Sequence, residues 1–241
     1  MTTTSTSPRS SAEPLSALGS GRAHLAGGVV ALATSTAEGD LSVRGARPAA
    51  TPARHLELVA RPWTMVRQVH GARVLVIDAP AGPLDEEADA LVSCRGDVAL
   101  AVLGADCPLL GLSSPEGVFG VVHAGWRGLV AGIVEATVER LGDLGASHLD
   151  AVVSAFVHVE CYPFHRSDAA PLASRYGAAV LGTSASGEDA LDLSVALSAA
   201  LGRVGVDAPR PLGGCSACGG RWYSHRAQAA TERHALVCWR E

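Results

Sequence analysis

Short apolar runs bounded by turn residues dominate the first half of this chain and predict strands. Residues 28–34 and 40–43 read as strands around the Glu38-Gly39 turn. Residues 65–69 and 73–77 read as strands interrupted at His70-Gly71, which leaves His70 at a bend or strand end. Residues 45–54, rich in Gly, Ala, Arg, Pro and Thr, break the pattern, and 85–89 read as an acidic loop leading into the apolar Ala90-Leu91-Val92. A buried-type strand follows at 98–103, and 109–112 and 118–122 flank Ser114-Pro115-Glu116-Gly117 as a β-hairpin. Centring the turn between Pro115 and Glu116 pairs position 108 with 123 and 107 with 124. Cys107 and His123 then face each other at the open end, with Cβ atoms about 4.5–5.5 Å apart.

The period changes after Gly128. Leu129, Val130, Ile133, Val134, Thr137, Val138 and Leu141 recur at helical spacing and stop at Gly142. A strand over 151–159, helices over 169–180 and 191–204, a Gly/Cys-rich turn at 213–220 and a terminal strand over 235–239 complete the pattern. Strands and helices intermixed without an internal repeat predict an α+β fold, with mixed β-sheet layers flanked by helices in a single compact domain over 23–241. Residues 1–22, rich in Ser, Thr, Pro and Ala without a continuous apolar stretch, read as a disordered leader.

At 241 residues and 48% hydrophobic composition the chain buries a substantial core. A net charge of -5 with no basic stripe argues against nucleic acid as a partner. No run of about 18 apolar residues suggests a membrane span. All 19 basic residues are arginine, so no lysine amine is available for covalent catalysis. Six cysteines at 94, 107, 161, 215, 218 and 238 lack the density of a disulfide scaffold, which predicts a reducing, cytoplasmic location.

The chemistry concentrates around His123-Ala124-Gly125-Trp126-Arg127-Gly128, where a strand delivers a histidine into a turn at a helix start. Arg127 adds a planar fork suited to phosphate or carboxylate. Cys107, between Asp106 and Pro108, and His70 upstream complete a set of two histidines and one cysteine that suits a borderline-soft divalent metal with one position open. A Cys107–His123 nucleophile–base dyad is the competing chemistry. Gln68 shares a strand face with His70. Asp89 borders an apolar run, and Arg226 and Arg233 are further guanidiniums near the C-terminus. Cys215-Ser216-Ala217-Cys218 has the spacing of half a zinc knuckle, but no second such pair follows, and an ordinary turn is the expectation. The residues together predict a metalloenzyme acting on a small anionic or polar substrate.

Five stretches resemble the laccase-domain family, whose members go under the names polyphenol oxidase, peptidoglycan editing factor and purine nucleoside phosphorylase. They are Arg67-Gln68-Val69-His70-Gly71-Ala72, Glu87-Ala88-Asp89-Ala90, Ala105-Asp106-Cys107-Pro108, His123 to Gly128, and Tyr223-Ser224-His225-Arg226 with Thr231 to Arg233. The resemblance implies zinc held by His70, Cys107 and His123, with copper as the older assignment. It implies phosphorolysis of purine nucleosides (adenosine, inosine, guanosine, methylthioadenosine) and deamination of adenosine. Its small-molecule partners would be a nucleoside and phosphate, bound by Gln68, Trp126, Arg127, Arg226 and Arg233, with Asp89 or Asp106 as proton carrier and Cys107 essential to catalysis. A peptidoglycan-precursor editing hydrolase, a copper-dependent polyphenol oxidase and a catalytically retired binding protein are the alternatives. Two departures stand out: Ser154-Ala155 replace a Gly-Pro strand end, with Pro163 where the family has Glu, and Glu232 replaces the glycine of a C-terminal Thr-Gly-Arg.

Overall fold

The structure is a computed structural model that describes residues 21–43 and 51–241. The predicted leader therefore lies outside the described residues except at Gly21 and Arg22, and so does most of the 45–54 break. Fourteen strands are described: β1 (Gly21–His24), β2 (Val29–Ala33), β3 (Trp63–Arg67), β4 (Val74–Val76), β5 (Pro83–Glu87), β6 (Ala90–Ser93), β7 (Ala99–Gly104), β8 (Leu109–Ser113), β9 (Phe119–His123), β10 (Asp150–Val153), β11 (Leu181–Thr183), β12 (Asp189–Leu191), β13 (Arg210–Pro211) and β14 (His234–Arg240). The α-helices are α1 (Thr51–Leu58), α2 (Trp126–Ala131), α3 (Ile133–Asp143), α4 (Arg166–Tyr176), α5 (Leu193–Arg203) and α6 (His225–Gln228).

Two six-stranded sheets carry the domain, in the orders β1-β2-β14-β7-β3-β5 and β13-β10-β8-β9-β6-β4. Their apolar residues divide by strand alternation. Leu100 and Val102 of β7 and Leu236 and Cys238 of β14 face Leu109, Phe119, Val121 and Val152 of the second sheet. The intervening Ala99, Ala101, Ala235, Val237 and Trp239 turn outward and pack with Leu41, Val59 and Trp63. On the far side of the second sheet, Leu110, Leu112 and Val122 meet Leu129, Ile133, Leu172, Leu197 and Leu201 of the helices. Central strands are thus covered on both faces, which explains their unbroken apolar runs. The α+β expectation of mixed sheet layers flanked by helices holds.

Several elements differ from the expectations. The acidic 85–89 segment is largely strand β5, an exposed edge paired parallel with β3. Its charged side chains suit an edge that faces water. Residues 40–43 form no strand. The helix after Gly128 is two helices broken at Gly132, whose φ of 88° only glycine adopts readily. The β8–β9 hairpin pairs Leu109 with His123 and Ser113 with Phe119, one residue away from the predicted register. Gly117, at φ 80°, inserts an extra residue into the returning arm and shifts every pair. No helix among the described residues is long and apolar enough to cross a membrane.

His234 opens β14 and is fully buried. Burial pushes its pKa down to about 4, against the opposing influence of the Ala155 backbone and the Asp106 carboxylate. The unfolded chain takes up a proton near pH 6.5 that the folded chain resists, so stability is intact above that pH and falls as pH drops toward 4. The full loss is about 3 kcal/mol. We expect urea unfolding of chelator-treated protein to show a smaller stability difference between pH 7 and pH 5 in His234→Leu than in the parent; parallel pH dependences would exclude this residue as a cause.

Candidate metal centre and substrate cavity

Three chain segments converge where the two sheets diverge. His70 follows β3, Cys107 lies in the connection that carries the chain from β7 in the first sheet to β8 in the second, and His123 ends β9. Their ligand atoms all lie within 4.8 Å of one another. His70 Nε2 is 3.9 Å from Cys107 Sγ, and the two imidazole rings meet edge to face at 4.6 Å. Gly125 backs the cluster: a Cβ there would come within 2.8 Å of His70 Cδ2 and 3.1 Å of Cys107 Sγ, so only glycine admits both side chains. Two imidazole nitrogens and a thiolate fit a metal such as zinc, and this is the donor set predicted from the sequence.

Asp89 holds this arrangement from behind. It is fully buried, and it accepts N–H groups from Val69 (3.2 Å), His70 (2.9 Å) and Gly71 (2.7 Å) and the Nδ1 of His123 (2.8 Å). The three amides fix a turn in which His70 takes φ 60°, a conformation uncommon outside glycine. The bond to Nδ1 leaves His123 Nε2 for a metal. Burial alone would raise the carboxyl pKa, but the His123 and backbone bonds outweigh it and hold Asp89 below the usual carboxylate range.

The same network charges the cysteine. Burial works against a Cys107 thiolate, yet the His123 charge and hydrogen bonds from both histidines lower its pKa to about 6. Burial also opposes charge on His123, and the thiolate and Asp89 together raise it to about 9. Each group thus favours the charged form of the other. A metal takes the thiolate and a neutral imidazole nitrogen, so its binding releases protons.

A cavity of about 570 Å³ opens beside the cluster, a volume in the ordinary range for small-molecule sites. His70, Cys107 and His123 form its floor, with Trp126, Tyr162, His225, Arg226 and Arg233 on its walls. The Arg226 guanidinium lies 4.8 Å from the Tyr162 ring centroid, a cation–π contact that fixes both.

Four of the expected site residues sit differently from the sequence expectation. Asp89 does not line the cavity. Asp106 does, but both its oxygens are occupied, by Ser216 Oγ at 2.6 Å and the Arg226 amide at 2.7 Å. Those two bonds tie the C-terminal segments to a residue held at φ 91°. Gln68 spends its amide on Leu103, donating to the carbonyl at 2.7 Å and accepting the N–H at 2.8 Å, as a neighbouring strand would. Arg127 is exposed outside the cavity, its guanidinium 4.4 Å from the Trp126 ring. Conversely, Tyr162 and His225 line the cavity without having been singled out as site residues. Tyr162 stood in an aromatic stretch, and His225 within a family-like segment, so each carried a signal.

The departures fall away from the cavity's floor. Ser154 is buried, and its hydroxyl accepts the Leu109 amide at 3.3 Å behind the cluster. Pro163 bridges Ala190. Glu232 is exposed, and its backbone is not among the left-handed positions, so this chain needs no glycine there.

Residues 26–241 match the family model of multi-copper polyphenol oxidoreductase laccase. A purine nucleoside phosphorylase of Streptomyces griseus is 37% identical over 195 residues, 78% of each chain. An adenosine deaminase, RL5, from an unknown prokaryotic organism is 33% identical over 135 residues, 52% of each chain. The crystal structure of YlmD from Geobacillus stearothermophilus matches with a TM-score of 0.77 over 89% of this chain and 92% of that one, at 23% identity, and so shares the fold.

Asp89→Asn halves the carboxylate's acceptor capacity and loses its charge. We expect zinc affinity, read by competition with a chromophoric chelator, to fall roughly 10–100-fold. Unchanged affinity would remove Asp89 from any role in shaping the cluster.

Proposed function

The chain belongs to the multi-copper polyphenol oxidoreductase laccase family, and from that premise we propose that it is a zinc-dependent purine nucleoside phosphorylase. One observation carries the reading: a compact His-Cys-His donor set and two guanidiniums, Arg226 and Arg233, border a single cavity that also has aromatic walls. Guanidiniums suit a dianionic phosphate, and the flat rings of Trp126 and Tyr162 suit a purine. A laccase-type copper cluster needs many converging histidines. Among the described residues, the donor groups able to hold a metal are this set and one with no histidine.

In phosphorolysis a phosphate oxygen bonds to the ribose anomeric carbon as the carbon–nitrogen bond breaks, and that bond's electrons leave with the purine. Arg226 and Arg233 hold phosphate against the sugar, and the aromatic walls orient the base and exclude water, so that positioning and electrostatics supply most of the rate. Zinc, when bound by His70, Cys107 and His123, supplies a Lewis acid at the cavity floor. Cys107 acts as a ligand, in keeping with its readiness to ionise. Asp89 and Asp106, whose oxygens are already engaged, act as positioning residues: Asp89 orients both histidines, and Asp106 fixes the backbone on which Cys107 and Arg226 stand.

Adenosine deamination is the second reading, favoured by the similarity to RL5. It releases ammonia and leaves inosine, with no need for phosphate.

Chromatography of adenosine and inosine incubated with zinc-loaded protein, with and without phosphate, separates these readings. We expect phosphate-dependent free base and ribose 1-phosphate, lost in Cys107→Ala. Arg226→Ala is expected to raise KM for phosphate roughly 10–100-fold, the worth of about 1.5–3 kcal/mol for a hydrogen bond to a charged group. Phosphate-independent inosine would move the assignment to deamination, and untouched nucleosides with stoichiometric zinc would overturn both.

A further inference from the structure

A second set of metal donors lies outside the cavity lining. Glu160, Cys161, Cys215 and Cys218 each offer one donor atom, and these four atoms all lie within 4.8 Å of one another. Cys215 and Cys218 belong to the Cys-Ser-Ala-Cys turn, which closes through the Cys218 amide on the Cys215 carbonyl at 3.3 Å. No second such pair follows downstream in the sequence. The partners instead come from upstream. Phe156 pairs with Cys215 as an isolated bridge, and the Ser216 amide donates to the Phe156 carbonyl at 2.9 Å. That zipper lays the turn against the short 3-10 helix Val159–Cys161.

We propose that Glu160, Cys161, Cys215 and Cys218 form a structural site for a zinc-class divalent cation, distinct from the cavity's His-Cys-His set. Three thiolates and a carboxylate are a donor set for tetrahedral zinc. Zinc–sulfur bonds of about 2.3 Å put tetrahedral sulfurs roughly 3.8 Å apart. The observed Cys161–Cys218 separation of 3.3 Å, within a cluster no wider than 4.8 Å, brackets that value. The buried Cys215 sulfur already accepts the His158 amide at 3.4 Å, the kind of outer hydrogen bond that tunes a metal-bound thiolate. A Cys161–Cys218 disulfide would leave Cys215 and Glu160 unexplained, whereas a metal uses all four. Each thiol gives up its proton on binding, and no redox change occurs.

Such a clip braces the cavity at two points. The residue after Cys161 is Tyr162, a cavity wall. The residue after Cys215 is Ser216, whose hydroxyl holds Asp106 next to Cys107. The metal thereby fixes the wall and the floor to each other without touching substrate.

The test is metal content and thiol accessibility of the full chain purified under reductant and loaded with zinc alone. We expect the parent to hold one more equivalent of zinc than a Cys215→Ser, Cys218→Ser double variant, and Cys107→Ala to retain an equivalent. Cobalt-loaded Cys107→Ala should keep an intense thiolate-to-cobalt charge-transfer band, and the double variant should lose most of it. Should the double variant fail to fold, alkylation of the parent by N-ethylmaleimide, mapped by peptide mass spectrometry, decides. Zinc should shield Cys161, Cys215 and Cys218, and a chelator should expose them. The proposal is overturned if zinc leaves these three cysteines equally reactive, if Cys107→Ala binds none, or if Cys161 and Cys218 are disulfide-linked under reductant. None of these readouts depends on turnover, so the site stands or falls apart from the assigned reaction.

Discussion

A single buried carboxylate organises the functional end of this molecule. Asp89 has no solvent to satisfy it and therefore depends on three consecutive amides and one imidazole. Those donors in turn depend on Asp89, because the turn at Val69-His70-Gly71 leaves its N–H groups without other partners in the strands. Unpaired buried polar groups are costly, so the arrangement is held from both sides. Both metal-facing histidines are aimed by the same side chain, one through its backbone and one through its ring. The donor set is consequently built by the fold itself, and Cys107 and His123 each favour the charged form of the other.

The layers explain why this can happen at the chain's most apolar region. The two sheets share a buried apolar layer, and the β7–β8 connection crosses from one sheet to the other along the lining of the cavity. Cys107 rides on this crossover between a histidine from the first sheet and one from the second. The donors do not come from one loop, so their spacing depends on how the sheets pack, and a change in the intervening core would be felt at the cluster.

Much of this was legible in the sequence because the informative residues are local in kind. His123 with Gly125, and His70 with Gly71, mark places where backbone and side chains crowd a functional point. The apolar runs at β7, β8, β9 and β14 carry their own burial. What escaped was set by partners distant in sequence. Gln68 lines the cavity as a substrate contact would, but Leu103, 35 residues on, occupies its amide. Arg127 looks like a phosphate fork, yet its guanidinium stands exposed over the Trp126 ring, outside the cavity lining. The acidic run at β5 is a strand because β3 supplies the neighbour, against its own weak propensity. The one-residue shift of the β8–β9 register came from Gly117, a turn conformation rather than a pattern. The cysteine pair at 215 and 218 had no visible partner because Glu160 and Cys161 precede it by 54 residues or more and are brought beside it by the pairing of Phe156 with Cys215.

β14 lies between β2 and β7, so the seam of the first sheet is made from the beginning and the last residues of the described chain. Until residues 234–240 emerge during synthesis, β2 and β7 each present an unpaired edge with apolar faces, the kind of surface that recruits other chains. Everything upstream can collapse, but the sheet closes through pairings that reach from Leu236 back to Ala33 on one side and from His234 back to Gly104 on the other, which makes this step slow by topology. Before β14 arrives the first sheet has an open slot at its centre, and in that interval pairing with another chain competes with folding.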